Sequence, residues 1–198
     1  MVSVRCDDAY PGVSHHRLFA LMPGRLLVVD YLVSRKEHRF DWLYHSLGTT
    51  VWHTVSAPLD PVKLTHSGAG FMRNVRGGKT GRAIKLDFQS GEITTRLIMA
   101  AAADTGYVLG EGPFRSIRDL IPMVMISRCG REVFFAAVIE PVRECARART
   151  THIEIRRHGQ RCLISMRGFS NQTDCLAWDL VSGAATWTQR VDKAVSAK

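Results

Sequence analysis

EHRFDWLYHSLG, residues 37–48, packs two histidines, an aspartate and three aromatics into one short run. On an extended strand successive side chains alternate between faces. His38, Phe40, Trp42 and Tyr44 then share one face, and Arg39, Asp41, Leu43 and His45 share the other. Asp41 and His45 would stand about 13 Å apart along such a strand, too far to share one metal. The HExxH spacing of a helical zinc site is absent as well. The run therefore reads as a strand with an aromatic, core-facing side. A sugar-stacking surface is the functional alternative.

The same period of two recurs on both sides. Short runs rich in β-branched and aromatic residues are broken by glycine or proline, and they mark strands over 16–22, 25–33, 38–46, 51–56, 82–88, 93–99, 106–110, 122–127, 133–139, 151–157, 162–166, 174–180 and 184–189. Met22-Pro23-Gly24-Arg25, Ser90-Gly91, Cys129-Gly130, His158-Gly159-Gln160 and Ser182-Gly183 read as the turns between them. No helix of convincing length is predicted, and 110–120 reads as a loop with at most a short turn. These spacings predict an all-β chain, an antiparallel β-sandwich of the supersandwich type, with 1–198 as a single domain. A chain of this length buries roughly 70% of its unfolded surface and needs no staples.

The least regular region is 60–81, containing LTHSGAG and NVRGGKTGR, which predicts an exposed loop or a distorted hairpin. Arg76-Gly77-Gly78-Lys79-Thr80-Gly81-Arg82 invites comparison with a phosphate-binding loop. It lacks the first glycine of that pattern, and a strand-like run follows it instead of a helix. A glycine-rich turn that is basic enough to touch an acidic ligand is the reading that remains.

Lysine plus arginine number 27 against 18 acidic residues, a formal charge of +9. Such a field attracts polyanions, either nucleic acid or acidic polysaccharide, and arginine's fork suits phosphate and carboxylate alike. The four tryptophans are dispersed, and no RRM, zinc-finger or recognition-helix signature is present, so nucleic acid is set aside. The five cysteines, Cys6, Cys129, Cys145, Cys162 and Cys175, include no CxxC pair, so a zinc knuckle is not expected. The start, MVSVRCDDAYPG, has no signal-peptide core, and the longest apolar run, 97–103, is far too short to span a membrane. His15 and His16 are adjacent and face opposite ways on a strand. His53, His66, His152 and His158 are scattered, with no sequence pattern of a His–Asp–Ser set.

Three spaced blocks, DAYPGVSHHR at 8–17, LLVVD at 26–30 and HRFDWLYH at 38–45, together with VFFAAVIEP at 133–141, resemble the downstream sheet of heparinase II/III-like polysaccharide lyases, oligoalginate lyases above all. The resemblance spans about 4–145. It implies an α/α toroid followed by a large β-sandwich, and cleavage of acidic polysaccharide by β-elimination. In that chemistry a base removes the proton beside the uronate carboxylate and an acid protonates the leaving oxygen. The toroid and the segment carrying the family's catalytic tyrosine and metal-binding histidines would lie upstream of Asp8. The chain is therefore expected to be a noncatalytic sandwich portion, with a toroid as its missing partner. No catalytic residue, metal ligand or cofactor is expected here, and a parent could be periplasmic or secreted. Arg17, Arg39, Arg73, Arg76 and Arg82 are the candidate substrate-binding residues, with Asp41 and His45 as supporting groups. The alternatives are an autonomous lyase with a rearranged site and an autonomous polyanion-binding or protein-interaction sandwich.

Overall fold

The computed structural model describes residues 1–48, 50–53, 59–65, 68–143, 149–169 and 172–191. Fourteen strands are arranged in two antiparallel sheets, and the helical content among the described residues is one 3-10 turn, Ala69–Phe71. No helix there is long and apolar enough to cross a membrane. The larger sheet holds β1 (Val2–Tyr10), β2 (Val13–Met22), β3 (Arg25–His45), β4 (Thr50–His53), β5 (Asp60–Pro61), β6 (Arg73–Thr80), β7 (Ile84–Ser90), β8 (Ile93–Met99), β9 (Thr105–Pro113) and β10 (Leu120–Arg143). The smaller sheet runs β11 (His152–His158), β12 (Arg161–Arg167), β13 (Gln172–Asp179) and β14 (Ala185–Val191) in order.

Two long strands form the spine. β3 and β10 pair from Leu26↔Ile139 to His45↔Met123. Between Gly130↔His38 and Glu132↔Val33, residues 34–37 of β3 lie opposite Arg131 alone. That insertion is a large bulge, and a bulge bends and twists its strand. It splits the spine into two arms, the first pairing 26–33 with 132–139 and the second pairing 38–45 with 123–130. Beyond it the facing parity of β10 changes: Val124 and Ile126 before the break, and Val133, Phe135 and Ala137 after it, join the same core. Arg128 sits at the bend, 5% exposed, donating to Thr105 Oγ1 at 3.1 Å, Ala100 O at 2.5 Å and the carbonyl of Phe134.

Cys129-Gly130, expected as a hairpin turn, is thus part of a continuous strand, and the predicted runs 25–33 and 38–46 merge, as do 122–127 and 133–139. A small polar break between two apolar runs has the same pattern whether the chain reverses or merely bulges. The strand β1 lies outside the predicted runs, although Val2-Ser3-Val4-Arg5-Cys6-Asp7 alternates apolar and polar residues; Val2 and Val4 are exposed at the sheet edge. Region 60–81 is the expected distorted hairpin, but Arg73–Thr80 is strand, and Gly77 is not in a turn. The predicted strand 51–56 is described as far as His53; 54–56 lie outside the described residues, as does His66.

Both faces of the first arm are buried. Leu18, Leu27, Val29, Ala136, Val138 and Ile98 pack against Ile153, Ile164, Leu176 and Trp178 of the smaller sheet. Burying a side chain such as Trp178, which is 0% exposed, contributes roughly 2–3 kcal/mol. Leu32, Phe135, Leu97 and Met99 on the opposite face pack against Trp42, Val124 and Ile126 of the second arm and Tyr107 of β9. The alternating pattern of the opening stretch is realised over 39–44, where Trp42 is buried, Phe40 and Tyr44 are half-buried, and Arg39, Asp41 and Leu43 are exposed. His38, expected on the core-facing side, is exposed, and His45, expected on the other, is half-buried.

Candidate functional site

On β2, Val13, His15 and Arg17 point to the face that the second arm folds over, and the register sets Arg17 opposite Asp30 of β3. Asp30 ends the apolar run LLVVD and is 1% exposed. A carboxylate so buried needs donors. It receives Arg17 Nε at 2.5 Å and Arg17 Nη2 at 2.9 Å, His15 Nε2 at 2.6 Å and, from the second arm, Trp42 Nε1 at 3.1 Å. Burial alone would raise the Asp30 carboxyl, but the hydrogen bonds from His15 and Arg17, with their charges, hold it below the usual range. The carboxylate can only accept, so His15 donates through Nε2, and its Nδ1 is the acceptor whenever the ring is neutral.

Above these groups lies a cavity of about 440 Å³, walled by Tyr10 and Pro11 at the β1–β2 turn and by the strip from His38 to Leu43 of β3. That part of β3 pairs with β10 on one side only, so its other edge borders the cavity. The Tyr10 and His15 rings are 6.3 Å apart, and Arg17 also lies over Phe19 at 5.7 Å. Arg39 Nε donates to Asp41 at 2.9 Å and Arg39 Nη2 to Ser127 Oγ at 3.0 Å, while Ser127 Oγ donates to Asp41 at 2.5 Å. Each arginine of the cavity is thus matched by an aspartate, and the walls offer both donors and acceptors beside aromatic rings. Arg39 also borders a second basin of about 560 Å³ that includes Lys63 and Lys79.

The structure brings two of the five candidate arginines, Arg17 and Arg39, to one cavity. Arg73 and Arg76 lie on the exposed side of β6, where Arg73 donates to the carbonyls of Gly70 and Met72, and Arg82 is exposed beyond it. Asp41 is at the cavity, whereas His45 is half-buried near Gly112, and burial pushes its imidazole below the usual histidine range. His16, on the opposite face from His15, is buried edge-on to Tyr31 and is likewise lowered by burial. His152 and His158 are exposed on β11. Among the described residues no three histidine, cysteine or acidic side chains are grouped to hold a metal. Sequence reading missed Asp30 as the hub. Its one signal was an aspartate closing an otherwise apolar strand, and its pairing with Arg17 depends on a register that the sequence does not print.

Fold and cavity define an antiparallel β-sandwich with a polar, aromatic-walled cavity at the fold-back of its spine. No family model matches the chain, and no curated protein matches it. Among solved structures it is similar to a mutant of the heparan sulfate lyase HepC from Pedobacter heparinus, with TM-score 0.47 and 13% identity over 96% of this chain and 25% of that one. It is also similar to a heparinase III gene product solved with methylated lysines, with TM-score 0.46 and 9% identity over 94% of this chain and 24% of that one. The chain spans about a quarter of the length of these two.

Proposed function

We propose that residues 1–198 form the β-sandwich part of a heparinase II/III-like lyase of acidic polysaccharide, a part that binds the polymer without cleaving it. The observation that carries this reading is the convergence of Arg17, Arg39, His15 and His38 with Tyr10 and Trp42 around one cavity. A uronate sugar presents one carboxylate among several hydroxyls, and paired arginines and aspartates offer partners for both kinds of group. Arg39 is the foremost carboxylate contact, because its ion pair with Asp41 is open to solvent and weak, whereas Arg17 is held by the buried Asp30. Arg73, Arg76 and Arg82 would meet the polymer outside the cavity. The proton transfers of β-elimination would come from an α/α toroid partner, and no catalytic residue is assigned to this chain.

The test incubates the purified chain with heparan sulfate, heparin and alginate oligomers, following the ultraviolet absorbance of unsaturated uronate and, separately, binding by calorimetry. Binding without a rise in absorbance is the expected result, weakened about tenfold by Arg39→Gln. A sustained protein-dependent rise would overturn the noncatalytic assignment in favour of an autonomous lyase. Absence of binding to every polymer would overturn the reading altogether and leave a protein-interaction sandwich.

A further inference from the structure

The outward face of the smaller sheet takes no part in the cavity. Its rows follow from the register. His152, Arg167, Thr173 and Arg190 stand side by side across the four strands. At the other end of the face His158, Arg161 and Asp179 form a second charged row. Arg156 of β11 lies between the two.

The carboxylates of this face are already occupied. Asp179 accepts from the amides of Val181 and Ser182 and from the Ser182 hydroxyl, and Glu154 accepts from Arg156 Nε at 2.8 Å. Arg161, Arg167 and Arg190 are exposed, and among the described residues none has a carboxylate at ion-pair distance. Two strand spacings put Arg167 and Arg190 about 10 Å apart at the backbone.

Between Arg156 and Arg190 runs a groove of about 480 Å³. Its outward floor is made by the hydroxyls of Ser165, Thr186 and Thr188, the small Cys175 and Ala177 and the exposed Leu163, with Glu154 at its edge beside Arg156. No phenylalanine, tyrosine or tryptophan stands in these outward rows, whose only rings are the imidazoles of His152 and His158 at the edge strand β11. Trp187 belongs to the inward face, where its indole donates to Asp174. Single-stranded nucleic acid is held by aromatic stacking platforms in addition to charge. A floor of mixed hydroxyl and apolar side chains framed by the guanidinium groups of Arg156 and Arg190 suits a chain of acidic sugars instead, whose rings present hydroxyls and apolar C–H faces as well as charge.

We infer that the outward face of β11–β14 is a second binding site for a linear acidic polysaccharide, sulfated or uronate-bearing, independent of the cavity. It uses none of the cavity's residues and does not rest on the cavity's assignment.

The experiment measures binding of the full chain to a heparin-derived oligosaccharide by calorimetry, and elution from immobilised heparin in rising salt. Wild type is compared with Arg161→Gln/Arg167→Gln/Arg190→Gln combined, with Arg190→Gln alone, and with Arg39→Gln. Thermal melts check folding, and the single variant serves if the triple one does not fold. The expected outcome is about tenfold weaker binding and earlier elution for the triple variant, a smaller loss for Arg190→Gln, and additivity with Arg39→Gln. Unchanged binding in the charge variants overturns the inference. So does equal competition by a single-stranded oligodeoxynucleotide of matching charge. Loss in the triple variant with none in Arg39→Gln would leave this face standing and remove the cavity.

Discussion

Asp30, on one arm of the spine, accepts from His15 and Arg17 of the neighbouring β2 and from Trp42 of the other arm, so one carboxylate fixes both the cavity wall and the fold-back. Asp30→Asn keeps the shape but replaces an acceptor oxygen with a donor that faces other donors. Breaking a buried pair costs several kcal/mol, less here because Arg17 keeps access to water. A loss of about 2–3 kcal/mol in urea unfolding at neutral pH is expected. The pH dependence gives a second readout. The folded carboxyl lies below its unfolded value near 3.8, so its stabilisation is complete above that value and is lost as pH falls through the folded one. Wild type therefore loses stability below about pH 4 by this route, and the variant does not. Both retain an earlier decline below about pH 6.5, because burial of His16 and His45 favours their neutral forms and the unfolded chain binds more protons there. An unaltered acid limb in Asp30→Asn would contradict the assignment. At this scale the sequence showed the aromatic face of 38–45 and the opposite facing of His15 and His16. It did not show the hub, whose partners are joined by register and by the fold-back.

Among the elements, β6 shows why a glycine-rich run need not be a turn. A Cβ built on Gly77 would lie 2.5 Å from the carbonyl oxygen of Tyr107, and one on Gly110 would lie 2.8 Å from that of Arg73. The glycines let β6 and β9 approach closely enough to pair, which the one-dimensional pattern renders as flexibility. Gly77→Ala should destabilise the protein by about 1–3 kcal/mol, because backbone must shift to admit one methyl group. Hydrogen exchange should show the loss concentrated in the β6–β9 ladder, and unchanged protection there would refute the close-approach role. Most other strands were legible because their apolar and polar residues alternate. β8, Ile93–Met99, has the bounds its pattern predicts. Strand ends and mergers were not legible, since bulges and turns share the same residues.

For the whole molecule, the two sheets are joined by polar contacts as well as by apolar packing. Glu140 of β10, 3% exposed, accepts the amides of Arg149 at 2.5 Å and Thr150 at 3.0 Å. Arg25 reaches across to Thr150 Oγ1 at 2.8 Å and to Asp174. Glu140→Gln leaves one of the two amides facing a donor. It should cost about 1–3 kcal/mol and loosen the smaller sheet first. Amide exchange in β11–β14 should then quicken ahead of global unfolding. Uniform quickening across both sheets would show that they open as one unit.

The long spine also sets an order of events during synthesis. β3 leaves the ribosome with apolar residues on both faces, and its partner β10 is translated only after β4–β9 have followed. Until then β1–β3 can form a hairpin array with neither face covered and with the β3 edge open that β10 will later take. Such non-local pairing is slow and leaves nascent strands exposed to wrong partners. A ribosome-bound chain halted before residue 120 would be a substrate for chaperones, and release from them would wait on the arrival of β10.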